Sequence, residues 1–125
     1  EKMKKADGII FMIPSYYGLP PATFKAIIER AQGILGWITR ELRDFDSVWK
    51  DKPVIMVILA DGGGEIMVRY LKQLLKSADL ILKRISYTKY GIDGVERGLI
   101  KLPEVSSMIN ELAEEFCLKL TSKSP

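Results

Sequence analysis

Two apolar runs of strand length constrain the fold most, because each is followed directly by a glycine-containing loop and an amphipathic helix. Residues 9–13 and 54–59 show no alternation of apolar and polar side chains, which is typical of strands covered on both faces in a parallel sheet. Residues 80–88 are apolar but carry charges, as expected of a strand at a sheet edge. Strands alternating with helices predict the α/β class, with a doubly wound parallel sheet and right-handed crossovers.

Apolar residues at helical spacing predict three helices after these strands, and they begin near the double proline at 20–21, Glu65 and Pro103. The first of these helices is expected to end or kink at Gly33 and Gly36, before a loosely patterned connection over residues 34–52. Packing in the core is favoured over a ligand-binding role for three further side chains, which are Trp37, Trp49 and Cys117.

Length and charge narrow the class of protein. The 125 residues suit a single domain, and the charged segment before Asp7 is typical of a helix end, so the chain is expected to be the C-terminal portion of a longer polypeptide. No apolar run approaches the roughly 18 residues of a membrane helix, and no signal peptide is visible, which favours the cytoplasm. The 19 basic and 16 acidic residues interleave, which indicates a solvated surface and no nucleic-acid site.

The chain contains no histidine and one cysteine, and this restricts its chemistry. Nucleophilic triads that need histidine are excluded within these residues, as are the commonest zinc ligand sets, an internal disulfide and a cysteine-bound cluster. A reaction carried by this chain would use carboxylates, lysine, tyrosine or a cofactor. No catalytic side chain and no metal ligand are therefore assigned.

Two loops follow the two buried strands, and crossovers in a parallel sheet bring such loops to the same edge. The first loop, residues 14–20, offers a hydroxyl and two aromatic rings that suit a flat heteroaromatic ligand, although either tyrosine could instead cover the core. The second loop, residues 60–64, places three glycines before a helix, where backbone amides can approach a ligand. A flexible turn is an equal alternative, because neither a Walker loop nor a G-x-G-x-x-G fingerprint is present. For Glu65, stabilisation of the helix start is favoured over catalysis.

Together, ADGIIFMIPSYYGLPPATFKAIIER at 6–30 and KPVIMVILADGGGE at 52–65 resemble the NADPH-dependent FMN reductase family of flavodoxin-like proteins. This group includes iron–sulfur flavoproteins and quinone reductases of the tryptophan-repressor-binding-protein type. The resemblance implies that FMN is bound, and that hydride passes from NAD(P)H through the flavin to a quinone or similar small-molecule acceptor. The implied flavin contacts are Pro14, Ser15, Tyr16, Tyr17 and Gly18 on one side, and Ala60, Asp61, Gly62 and Gly63 on the other.

The chain also departs from the family pattern. The family's first strand, phosphate loop and second strand would precede Glu1, so the strands here would be the third, fourth and fifth in the order 2-1-3-4-5. The cysteine cluster of iron–sulfur flavoproteins is absent. A homodimer or homotetramer is expected. The alternative function is a non-enzymatic flavodoxin-like electron carrier or oligomerisation module, which the missing phosphate loop and the apolar residues of segment 34–42 favour.

Overall fold

Three parallel strands form one open sheet with helices on both faces, which confirms the predicted fold class. The computed structural model describes residues 2–41, 48–91 and 98–122, with the side chains of 32–41 left out. Two short 3-10 helices, Thr88–Tyr90 and Leu99–Lys101, precede the last α-helix. The main elements in chain order are α1 (Lys2–Lys5), β1 (Ile9–Pro14), α2 (Ala22–Glu41), β2 (Pro53–Leu59), α3 (Gly64–Leu74), β3 (Asp79–Ile85) and α4 (Pro103–Ser122).

The strand order is β1-β2-β3, so the three strands are neighbours in space as expected. The register pairs Pro14 with Leu59, and Leu59 with Ile85. These residues end their respective strands, so the loops that follow all three strands begin at one edge of the sheet.

The core consists of two layers, one on each face of the central strand β2. On one face, α2 and α3 pack against the sheet, and the buried residues there include Phe24, Ile28, Met67, Leu71, Leu75 and Trp49. On the other face α4 covers the sheet with Val105, Leu112 and Phe116. The expectation that Trp49 belongs to the core is confirmed, whereas Trp37 lies outside the side chains that the structure describes.

Helix boundaries depart from the sequence prediction in two places. α2 does not end at Gly33 or Gly36 but continues to Glu41, so the helix replaces much of the predicted connection, whose residues 42–47 lie outside the described part. A glycine costs a helix only about 1 kcal/mol relative to alanine, so good helix formers on either side can carry the helix past it. α3 ends at Leu74, although its apolar pattern continues to Ala78.

Three expectations about burial and strand length were wrong. Cys117 is exposed, because it follows the buried Phe116 by one residue and so faces about 100° away from it on the helix. β1 is covered on one face only within the described residues, since Ile10 is 57% and Met12 63% exposed. β3 ends at Ile85 and not at Thr88, because residues 86–88 turn towards the loop after β2.

Candidate functional site

The first loop contains a tight two-residue turn. The amide of Tyr16 donates to the carbonyl oxygen of Leu19 at 2.9 Å, and the amide of Leu19 donates back to Tyr16 at 3.0 Å. Tyr17 and Gly18 between them have positive φ angles of 53° and 82°. This is the pattern of a type I′ turn, in which a glycine at the second position is favoured and a tyrosine at the first is strained.

Two further hydrogen bonds hold this turn, one to the sheet edge and one within the loop. The amide of Ser15 donates to the carbonyl oxygen of Leu59 at 2.8 Å, and the Ser15 hydroxyl accepts from the amide of Gly18 at 3.2 Å. As a result the rings point outward: Tyr16 is 59% exposed and Tyr17 is fully exposed. Neither tyrosine covers the core, so both are accessible to a ligand.

The second loop leads directly into α3, and Gly63 occupies the N-cap with φ 75° and without a side-chain cap. Within the described part of the chain, the amides of Gly62, Gly63 and Gly64 donate no hydrogen bond. Unpaired amides are expected in the first turn of a helix. They can therefore donate to carbonyl oxygens or ring nitrogens of a ligand.

The first two loops are in backbone contact through two glycines. A Cβ atom on Gly63 would lie 2.8 Å from both Cα and N of Gly18, and one on Gly18 would lie 3.2 Å from the carbonyl oxygen of Gly63. Ile66, in the first turn of α3, lies beside the same contact. The two predicted loops thus meet at one edge, and only glycines allow them to approach so closely.

A third loop, residues 86–90, also reaches this edge through Asp61. Oδ1 of Asp61 accepts hydrogen bonds from the Ser86 hydroxyl, from the Thr88 hydroxyl at 2.8 Å and from the Thr88 amide at 3.2 Å. Burial opposes ionisation of Asp61, but these donors together outweigh it and hold the pKa of the carboxyl below its ordinary 3.8. The other oxygen, Oδ2, is buried and has no hydrogen-bond partner among the described residues.

The side chain of Arg84, near the end of β3, is hydrogen-bonded to the second loop. Its Nε donates to the carbonyl oxygen of Ala60 at 3.1 Å, and Nη2 donates to that of Asp61. Nη1 pairs with Oε1 of Glu65 at 2.9 Å. The hydrogen bond from Arg84 and its positive charge lower the pKa of Glu65 below its ordinary value, with a further contribution from Glu65's own amide.

The structure therefore brings together both groups of residues that the sequence analysis singled out, and it adds a third. The carboxylate of Asp61 is directed at the third loop, so its backbone is the part left for the predicted flavin contact. Arg84, Ser86 and Thr88 were missed as site residues. No local sequence pattern marks them, because each acts through a residue 24, 25 or 27 positions earlier in the chain.

The described residues contain no group of three or more side chains suited to hold a metal ion. No described helix is long and apolar enough to cross a membrane.

Residues 1–89 match the family model for NADPH-dependent FMN reductases, and this range contains all three loops up to Lys89. No curated protein sequence and no solved structure matches the chain significantly.

Proposed function

The chain belongs to the NADPH-dependent FMN reductase family, and we propose that it holds the FMN ring at the edge where its first and second loops meet. The flavin of this family is FMN and its electron donor is NADPH. The observation that carries the proposal is the contact between Gly18 and Gly63, which joins the two loops into one edge. The small-molecule acceptor that we propose is a quinone or a similar compound.

The residues present fit such a flat, polar ring. Tyr16 and Tyr17 offer exposed aromatic surface, and flat rings stack favourably on aromatic faces. The free amides of Gly62, Gly63 and Gly64 can donate to the carbonyl oxygens and nitrogens of the ring. When bound, FMN supplies the hydride chemistry, and the chain contributes binding and orientation.

The hydrogen bonds of the two carboxylates at this edge agree with a binding and orienting role for the chain. The Asp61 carboxylate is ionised at neutral pH and is turned towards Ser86 and Thr88. The Glu65 carboxylate is paired with Arg84. Both carboxylates are thus engaged by neighbouring side chains of the described residues, which suits a role in fixing the loops.

FMN titration of the full-length protein, followed by flavin fluorescence, tests the proposal. We expect saturable binding with a dissociation constant of roughly micromolar order, and oxidation of NADH or NADPH in the presence of a quinone. Absence of binding at roughly tens of micromolar would contradict it.

A second candidate is a non-enzymatic electron carrier or oligomerisation module, which the apolar residues in the sequence of segment 34–42 favour. Binding of FMN without oxidation of either nicotinamide would support the carrier. For either function we propose a homodimer or homotetramer located in the cytoplasm. Analytical ultracentrifugation of the full-length protein tests the assembly.

A further inference from the structure

We propose that Arg84 is a positioning residue, whose guanidinium fixes the second loop in the conformation that binds the flavin ring. This inference rests on the proposed function, since it concerns the same loop. It adds a residue that makes no direct contact with the ring: Arg84 acts through the backbone of residues 60–65.

The guanidinium of Arg84 donates three hydrogen bonds to residues of the second loop and the start of α3. Two carbonyl oxygens, of Ala60 and Asp61, accept from Nε and Nη2, while Glu65 accepts from Nη1. Arginine presents these donors in one rigid plane, so a single side chain fixes three points along six residues. The Arg84 side chain is 31% exposed and Glu65 79%, so the two backbone contacts are the better shielded ones.

The Arg84 guanidinium lies directly against Gly64. A Cβ atom on Gly64 would lie 2.5 Å from Cζ of Arg84 and 2.9 Å from Nη2. Gly64 has no positive φ that would demand glycine. A side chain at this position would therefore require the guanidinium to move away.

The loop needs such support because of its composition. Three consecutive glycines lose more conformational freedom on ordering than any other residues. A loop that is ordered only when the ligand binds would subtract that entropy from the affinity, whereas a loop already fixed by Arg84 would not. Hydrogen bonds from a charged donor such as Arg84 are stronger than neutral ones, so they can hold the second loop in one conformation.

The test compares FMN affinity in four variants of the full-length protein. Arg84→Met removes the guanidinium, and Gly64→Ala displaces it without changing its charge. The matched control is Lys83→Met, which removes a charge from the preceding, exposed residue of the same strand. The double variant Gly64→Ala/Arg84→Met closes a double-mutant cycle.

We expect Arg84→Met and Gly64→Ala each to weaken FMN binding about tenfold, equivalent to one strong hydrogen bond. The double variant should bind no more weakly than Arg84→Met, because both changes act through the same contact. Lys83→Met should bind like the parent protein. Additive losses, or an unchanged affinity in Arg84→Met, would overturn the proposal.

Amide hydrogen exchange in the flavin-free protein separates this proposal from the proposed function. Exchange of the amides of Ala60 and Ile66, which donate to the carbonyl oxygens of Ile85 and Gly63, should be about tenfold faster in Arg84→Met and Gly64→Ala, whether or not FMN binds. A parent protein that fails to bind FMN refutes the flavin site, while unchanged exchange in the variants refutes the role of Arg84. If Arg84→Met does not fold, Gly64→Ala decides alone, since alanine favours the helix it begins.

Discussion

Adjacent glycines in the second loop have opposite tolerance for a side chain. Gly63 has φ 75°, and a Cβ there would meet the backbone of Gly18 at 2.8 Å, which cannot move aside. A Cβ on Gly62 would meet no atom within 4 Å. We expect Gly63→Ala to lower the free energy of unfolding by about 2 kcal/mol or more, and Gly62→Ala to change it by less than about 0.5 kcal/mol. Urea unfolding of both variants measures this, and equal effects would contradict the loop contact.

At the same scale, Asp61 makes the free energy of unfolding depend on pH. Its pKa is lower in the folded protein than the ordinary 3.8, because hydrogen bonds from Ser86 and Thr88 outweigh the effect of burial. The stabilisation is therefore fully present above about pH 4 and is lost as the pH falls through the lower, folded-state value. Asp61→Asn should be less stable than the parent at pH 7.

This difference should shrink progressively below about pH 4, since the parent then loses the same charge. Unfolding curves at several pH values provide the measurement. Glu65→Gln is a useful comparison, because the pKa of Glu65 is lowered in the same direction by Arg84. A difference between Asp61→Asn and the parent that stays constant down to pH 2 would contradict the hydrogen-bonded carboxylate.

At the scale of elements, the type I′ turn in the first loop is destabilised by the tyrosine at position 17, whose ring is exposed to a ligand. Tyr17 has φ 53°, a conformation in which asparagine is favoured before glycine. We expect Tyr17→Asn to raise the free energy of unfolding by about 0.5–1 kcal/mol and to weaken FMN binding several-fold, as a stacked ring is lost. Thermal unfolding and FMN titration on the same sample test both. Tighter FMN binding in the variant would contradict a ligand role for Tyr17.

Most strands and helices could be predicted from the sequence, because their signals are local. The unbroken apolar run of β2 corresponds to burial on both faces, and Pro103 does begin α4. The similar run of β1 gave the wrong burial, because periodicity cannot show whether another element covers a face. α2 is longer than predicted, because its two glycines destabilise the helix without ending it.

The site was only half predictable for a related reason. The first two loops carry recognisable residues next to buried strands, whereas the third loop depends on partners distant in sequence. Asp61 meets Ser86 across 25 positions, and Arg84 meets Ala60 across 24. Such contacts require the register of β2 against β3, which the sequence pattern does not specify.

In the whole molecule, the strand register brings the three loops to one edge of the sheet, and we propose that this edge binds the flavin. Pairing of Pro14 with Leu59, and of Leu59 with Ile85, brings the ends of all three strands together. Amides far from this edge serve as an internal control, because a flavin bound at the edge should leave their exchange unchanged. The amino ends of the strands, at Ile9, Pro53 and Asp79, lie at the opposite edge.

The most direct test is to record amide hydrogen exchange of the full-length protein with and without FMN. We predict slower exchange in both the first loop, residues 14–20, and the second loop, residues 60–64, with no change at Lys52 or Asp79. Protection of only one loop, or protection confined to the opposite edge, would contradict a flavin site shared by the two loops.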